Sequence, residues 1–563
     1  MKKRTVLAAG LMAAAISGAA PLPAVAAAEP GATITGNYLA ARHAQYARDT
    51  KAAAEYYLEA LKNDPDNADL LQRTFLILAA DGHLDEALTL ARRLLEQIND
   101  DSLSILALMS ADVVNGRLKE ANALLDRLPD SGISTFITPL LRAWLLAGEK
   151  KYDEAVTLLK ERSSNEGLAI LYGAHTALID DIAGNTEAAE TAYQTATDKR
   201  QAPNLRLTLL FGNFHERNGA WDKARAVYDA YSESHPGTTV LETAYKRLDS
   251  RTKPPRDVRN ARDGLAEALF SIAGSIRQQD SFETILLARL ALYLREDFGL
   301  AKLLVAELLE GDGRLEDANA IYRDIERDAP FSWMTRLRIA TNLDQMGKTD
   351  QAALELRTMA RERTDRYDML VSLGDIMRRH ERYREAADAY ADAKARISSI
   401  ERQHWAMLYA TGIAYERLKE WDKAEPAFLK ALELEPGQPF VLNYLGYSWV
   451  EQGKNLKKAR QMIEEAVEKR PTDGYIVDSL GWVLYRLGDL PGAVTQLERA
   501  VELRPEDPTI NDHLGDVYWY VGRRNEARFQ WNHALILDPD EELEEKIREK
   551  IENGLPDTKP KDE

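Results

Sequence analysis

Three successive helical segments near the end of the chain carry side chains at i, i+3, i+7 and i+10 that are suited to recognition. They read Phe440, Asn443, Tyr447 and Val450, then Tyr475, Asp478, Trp482 and Tyr485, then Thr509, Asp512, Asp516 and Trp519. Such spacing places each set on one stripe of its helix. Asn443, Asp478 and Asp512 then stack as a polar ladder beside Tyr447, Trp482, Tyr485 and Trp519. Amides and carboxylates on such a ladder can hydrogen-bond an extended backbone, and Trp and Tyr dominate binding hot spots. The chemistry on offer is grip.

Bond-making chemistry finds no comparable arrangement. The chain has no cysteine, which removes disulfides, thiol catalysis, thiolate zinc sites and lipidation on Cys. Its nine histidines form no H-E-x-x-H or other local metal signature, so His513 and His533 read as ordinary surface or half-buried imidazoles. No glycine-rich loop has P-loop or dinucleotide-binding spacing, and no G-x-S-x-G elbow occurs. Carboxylates are spread along solvated faces without an identifiable catalytic pair. No catalytic residue, metal or cofactor is expected, and the protein reads as a non-enzyme.

The elements that position the ladder repeat themselves. GYIVDSLGWVLYRLGDLPGAVTQLERAVELRP is followed by PTINDHLGDVYWYVGRRNEARFQWNHALILDP. Leu480-Gly481 aligns with Leu514-Gly515, Ala493 with Ala527, Ala500 with Ala534, and Pro505 with Pro539, each about 34 residues apart. Each unit reads as two antiparallel helices crossing closely at small residues, with proline ending the second. Neither helix buries its apolar face alone, so units must stack. The second-helix alanine recurs as Ala53, Ala87, Ala121, Ala155, Ala188 and Ala224, and again as Ala318, Ala352, Ala386, Ala424, Ala459, Ala493 and Ala527. In such a stack first helices line the concave face. Val477, Leu480, Gly481 and Leu484 spell the buried side, leaving the ladder stripe toward a ligand.

Composition agrees with an all-α protein: 45% hydrophobic and 29% charged, rich in good helix formers. A net charge of −18, from 91 acidic and 73 basic residues, excludes a general nucleic-acid binder. The first residues have their own logic. Lys2, Lys3 and Arg4 precede the apolar run Val6–Ala20, which Pro21-Leu22-Pro23 breaks before small residues around Ala24–Ala28. This is the pattern of a cleaved secretory signal peptide, so export is expected and the net charge after cleavage falls from −18 to −21. No later run is long and uncharged enough to span a bilayer.

The repeated segments resemble the tetratricopeptide repeat (TPR). The resemblance implies an all-α TPR solenoid, a right-handed superhelix of about 13–14 helix hairpins in two blocks. Expected boundaries are a signal peptide at 1–28 and an N-terminal block of about six degenerate repeats at 34–238. A linker or elbow at 239–264 contains Pro254-Pro255. A C-terminal block of about eight repeats follows at 265–539, then a capping helix at 540–553 and a disordered tail at 554–563. Within the second block, 265–298 reads as a diverged repeat in which Thr284 replaces the usual alanine and the solenoid restarts.

TPR proteins that hold peptides use inward side chains of first helices. The resemblance therefore assigns protein binding to Phe440, Asn443, Tyr447, Tyr475, Asp478, Trp482, Tyr485, Asp512, Asp516 and Trp519. A narrower resemblance rests on NYLGYSW, DSLGWVLYRLG and DHLGDVYW. These look like large bacterial periplasmic TPR adaptors of carboxyl-terminal processing proteases, which help deliver cell-wall hydrolases for degradation. This chain departs from them in having no lipobox cysteine. The expectation is a noncatalytic periplasmic scaffold for protein or peptide partners, with such a protease and its substrates among them. The alternative is an assembly component of polysaccharide-export or outer-membrane secretion machinery. Oligomeric state is not legible.

Overall fold

Where the turn between paired helices is described, a left-handed residue recurs in it, and these residues keep time along the chain. In the computed structural model, positive φ falls at Arg48, Gly82, Gly116, Lys150 and Gly184, each 34 residues after the last. It falls again at Gly313, Gly347 and Glu381, then at Lys419, Gly453, Gly488 and Gly522. The structure describes residues 31, 33–132, 134–162, 166–197, 204–276, 282–326 and 329–556. The expected signal peptide at 1–28 and residues 557–563 of the expected tail lie outside the described residues. Thirty α-helices and no strand occur among the described residues. They form two compact units, divided between Ala352 and Ala353.

In the first unit α1 (Ile34–Tyr46) pairs with α2 (Thr50–Asn63), α3 (Ala68–Asp81) with α4 (Leu84–Gln97), and α5 (Ser102–Val114) with α6 (Leu118–Leu125). Next α7 (Ser134–Gly148) pairs with α8 (Tyr152–Arg162), α9 (Glu166–Ala183) with α10 (Thr186–Ala196), and α11 (Leu205–Arg217) with α12 (Trp221–Ser234). First helices open on side-chain caps: Asn67, Asp101 and Asn204 accept from backbone amides at the starts of α3, α5 and α11. Several second helices instead carry acids in the first turn, such as Asp85 and Glu86, which suit the helix dipole.

Close approach is made by small residues. Ala53, Ala87, Ala121, Ala155 and Ala224 have no exposed surface, as expected of the contact points. One anchor is corrected: Ala188 is exposed, and its neighbour Ala189 is the fully buried residue. Glycines on first helices receive large side chains from second helices: Tyr228 lies against Gly212, Tyr390 against Gly374 and Phe428 against Gly412.

After α12 come α13 (Glu242–Ser250) and the non-helical stretch 251–260, which contains Pro254-Pro255. Then α14 (Ala261–Ile276) and α15 (Phe282–Leu294) form the pair expected to restart the solenoid, and α15 does pack on α16 (Gly299–Gly311). The pair also does something the repeat pattern does not predict. Helix α14 packs against α7 and α9, and α15 against α3 and α5. Thr284 is fully buried there. The unit continues through α17 (Leu315–Arg323) and α18 (Ser332–Gln345) into α19 (Thr349–Glu362), where the division falls.

The second unit pairs α20 (Asp368–Arg379) with α21 (Tyr383–Ala395) and α22 (Trp405–Arg417) with α23 (Trp421–Leu434). It goes on with α24 (Pro439–Glu451) and α25 (Leu456–Lys469), α26 (Gly474–Arg486) and α27 (Leu490–Leu503), and α28 (Pro508–Tyr520) and α29 (Arg524–Ile536). Helix α30 (Glu541–Asn553) closes it against α29. Asp540 caps α30, and Ile547 is its fully buried residue.

The turn rhythm gives a direct test. Lys150 and Glu381 are exposed and hold the left-handed conformation, with φ 63° and 59°, that glycine holds in most other repeats. A Cβ makes that conformation costly by about 1 kcal/mol. Lys150→Gly and Glu381→Gly should each raise unfolding stability by about 0.5–1 kcal/mol, seen as a higher urea midpoint at unchanged m-value.

Candidate peptide-binding face

The candidate residues come from α24, α26 and α28, the first helices of three consecutive hairpins. Their stripe is not open. Seven of the ten are buried: Asn443, Asp478, Trp482, Tyr485, Asp512, Asp516 and Trp519. Phe440, Tyr447 and Tyr475 are half-buried. The correction has a plain physical reason. Successive first helices lie close enough that each covers the stripe of the one before, so the ladder joins repeat to repeat instead of facing a groove.

The bonds show this joint by joint. Asp478 on α26 accepts from Nδ1 of His513 on α28 at 3.0 and 3.1 Å. The Trp482 indole stacks on the same imidazole, with centroids 4.1 Å apart. Its Nε1 donates backward to Glu451 on α24 at 2.9 Å, and Arg486 donates to the same carboxylate at 2.9 Å. One repeat on, the Lys550 ammonium of α30 donates to Asp512 at 2.7 and 2.8 Å and to Asp516 at 2.9 Å. Trp531 Nε1 donates to the other oxygen of Asp516 at 3.0 Å. Trp519 Nε1 donates to the Leu555 carbonyl at 2.9 Å, and Gly554 sits against its ring. At the starts of the helices, guanidiniums cover the half-buried rings: Arg470 lies 4.7 Å over Phe440 and Arg504 5.3 Å over Tyr475.

Burying these charges moves their protonation. Burial pushes the His513 imidazole down, but the Asp478 carboxylate beside it overrides this and lifts it to about 9, with Asp512 and Asp516 helping. Asp516 is raised to about 6, by burial first, against the pull of Lys550 and with a push from Asp512. Lys550 is held above its ordinary value: burial lowers it, and the two aspartates outweigh burial.

Some of the face stays accessible. Tyr447, Glu451, Arg486 and Tyr520 are half-buried, and burial together with the charges of Glu451 and Asp478 drives the Tyr447 phenol up. Asn443, one turn before Tyr447, keeps a buried side-chain carbonyl oxygen without a hydrogen-bond partner. His513, Lys550, Glu451 and Arg486 were not among the expected site residues. Position i+11 of the same stripe, which is Glu451, Arg486 and Tyr520 in the three helices, is the sequence signal that identifies the accessible edge. A separate open cleft of about 850 Å³ lies between the 401–405 and 435–439 segments, with the Arg402–Glu435 ion pair and Lys469 among its lining residues. Among the described residues no cluster of three His, Asp or Glu side chains is placed to hold a metal ion.

Comparison with known proteins gives matches in several separate stretches of the chain. Tetratricopeptide-repeat family models match residues 38–102, 183–237 and 337–400, and residues 405–438. A further TPR-repeat model matches 481–522, which includes Trp482, Tyr485, Asp512, Asp516 and Trp519 of the candidate face. The TPR repeat-containing protein PA4667 of Pseudomonas aeruginosa is 31% identical over 87 residues, which is 16% of this chain and 15% of that relative's length. Among solved structures, a tetratricopeptide repeat protein from Parabacteroides merdae aligns at 14% identity over 45% of this chain and 99% of its own, with a TM-score of 0.37. The Cut9–Hcn1 hetero-tetramer of APC/C aligns at 16% identity over 93% of this chain and 96% of its own, with a TM-score of 0.37. Yeast Tom70 aligns at 14% identity over 92% and 95%, with a TM-score of 0.32.

The buried imidazole predicts a pH dependence. Its folded pKa of about 9 lies above the unfolded value of 6.5, so its stabilisation is complete below pH 6.5 and is lost as pH rises through 9. The loss should be on the order of 2–3 kcal/mol. Urea unfolding of the C-terminal repeats at pH 6.5 and 9.5 measures it, and His513→Gln should flatten the dependence.

Proposed function

Because this is a tetratricopeptide-repeat protein, we propose that it is a noncatalytic scaffold that binds other polypeptides on the first-helix face of 353–563. The observation that carries the reading is Asn443. Its side-chain oxygen is a buried acceptor left without a partner, on the same face of α24 as the half-buried Tyr447, which has Glu451 and Arg486 among its neighbours. Buried polar groups are normally satisfied, and an orphan at the edge of an accessible polar strip is suited to a backbone N–H from a bound chain. The bonds between repeats hold that strip rigid, so little ordering is required when a partner arrives.

We further propose that the scaffold works after export, as an adaptor for a carboxyl-terminal processing protease in envelope or cell-wall turnover. The basic, apolar and small-residue order of residues 2–28 supports export. No helix among the described residues is long and apolar enough to cross a membrane. The NYLGYSW and DSLGWVLYRLG texts support the protease-adaptor reading.

Asp478 and Trp482 hold repeats together, so their removal would report on folding rather than on capture. Asn443 separates the two. Asn443→Ala deletes an unsatisfied buried acceptor and should leave stability within about 0.5 kcal/mol. Combined with Tyr447→Ala it should reduce partner capture about tenfold, the size expected for one lost hydrogen bond to a buried group. Affinity purification of the tagged mature protein with mass spectrometry reads both the loss and the partner's identity. Recovery of a processing protease with its substrates supports the adaptor reading. Recovery of an export complex replaces it with an assembly role, and unchanged capture by the double variant removes this face from consideration.

A further inference from the structure

We propose that the concave face of α3, α5, α7 and α9 has a permanent occupant, the chain's own hairpin α14–α15, and that this face is closed to outside polypeptides. These four are the first helices of consecutive hairpins, the surface on which a repeat array of this kind would take a partner. Helix α15 lies on α3 and α5, and α14 on α7 and α9.

The fit is that of a core. Leu265, Leu269, Leu286 and Leu290 of the hairpin have no exposed surface. The Trp144 indole of α7 lies flat against Gly264 of α14, where a Cβ would collide with it. This is the relation that Gly212 has to Tyr228 inside an ordinary hairpin, made here between helices more than a hundred residues apart. The indole Nε1 of Trp144 donates to His175 on α9 at 2.9 Å, and burial pulls that imidazole down to about 3, so it is a neutral acceptor.

Polar contacts fix the hairpin's register at both ends. Arg289 of α15 donates from Nε to the Ala80 carbonyl at 3.1 Å, placing a cation at the C-terminal end of α3 where the helix dipole favours one. Arg206 of α11 forms a two-pronged pair with Glu267 of α14 at 2.9 and 2.5 Å. Beyond the hairpin the unit closes on its own beginning: Arg314 pairs with Asp81 at 2.6 Å, and Arg48 donates to the Gly311 carbonyl at 2.8 Å. A partner seeking this face would have to replace buried leucines, a matched glycine–indole contact and two half-buried guanidinium sites together. If the capture reading for 353–563 holds, recognition is confined to that unit.

The cysteine-free sequence supplies the test. Ala268 is one turn beyond Gly264 on the same face of α14 and is fully buried, and Ala224 is a fully buried contact of the α11–α12 hairpin. Ala268→Cys and Ala224→Cys, each in the full-length chain, report opening through reaction with N-ethylmaleimide under native conditions. A resident hairpin predicts labelling rates within about threefold of each other that rise together with urea. Labelling of Ala268→Cys more than a hundredfold faster than Ala224→Cys would mean a hairpin that swings out, and would overturn the proposal. Hydrogen exchange on the unmodified chain covers the case in which a substitution disturbs folding. Slow exchange of α14, α15 and α7 as one unit supports the proposal, and a separate, faster unit for α14–α15 defeats it. Neither readout depends on partner capture, so this inference and the capture reading fail independently.

Discussion

The close crossing of two helices at a small residue is the contact on which everything else rests. Ala87, Ala121, Ala155, Ala424, Ala459, Ala493 and Ala527 are each wholly buried between the helices of one hairpin. Glycines such as Gly374 and Gly412 let a tyrosine or phenylalanine from the second helix reach the backbone of the first. A left-handed residue makes the turn short enough to bring these points into register. A hairpin built this way still leaves one face of each helix uncovered, and that uncovered area drives the stacking. The 34-residue rhythm is thus a packing requirement expressed as sequence.

Stacking then buries charge, which needs compensation. Asp478, Asp512 and Asp516 would each be costly inside the protein unless paired, and each is met by a cation or donor from a different helix: His513, Lys550 and Trp531. Such pairs add less to stability than their number suggests, because desolvation offsets most of the attraction. Their stronger effect is on register. An α28 shifted by one residue would strand Asp478 without His513 and unstack Trp482, so the polar ladder fixes how successive first helices sit. Raised imidazole and carboxyl pKa values are the electrostatic trace of that compression.

What the sequence discloses and what it withholds follow from contact range. The period, the small-residue anchors and the helical class are set by contacts inside one hairpin, and these were legible from alanines, glycines and prolines alone. The slip from Ala189 to Ala188 is a one-residue error that two adjacent alanines make unavoidable. The stripe was legible as a periodic set, but the burial of most of its residues was not. How far one first helix covers its predecessor depends on side chains such as His513 and Lys550, one repeat away. The α14–α15 pair was legible as two helices and illegible in its packing, because Arg289 meets Ala80 across more than two hundred residues without any local signal.

The two units address the same problem in parallel ways. A row of first helices presents a concave surface and an unfinished end, both of which expose apolar and polar groups to water. In 19–352 the chain covers its concave surface with α14–α15, and leucines do most of the covering. In 353–563 it covers its end with α30, which buries Ile547 fully and depends on Lys550 for its hold on Asp512 and Asp516. The contacts of α30 are with the last hairpin, α28 and α29. Two repeats earlier, Asn443 is buried yet keeps an acceptor without a hydrogen-bond partner, and Tyr447 is half-buried. Unpaired buried atoms also occur under the chain's own cover, at Ser104 on α5 and Asn511 on α28, so Asn443 stands apart only in lying one turn from the half-buried Tyr447 on α24.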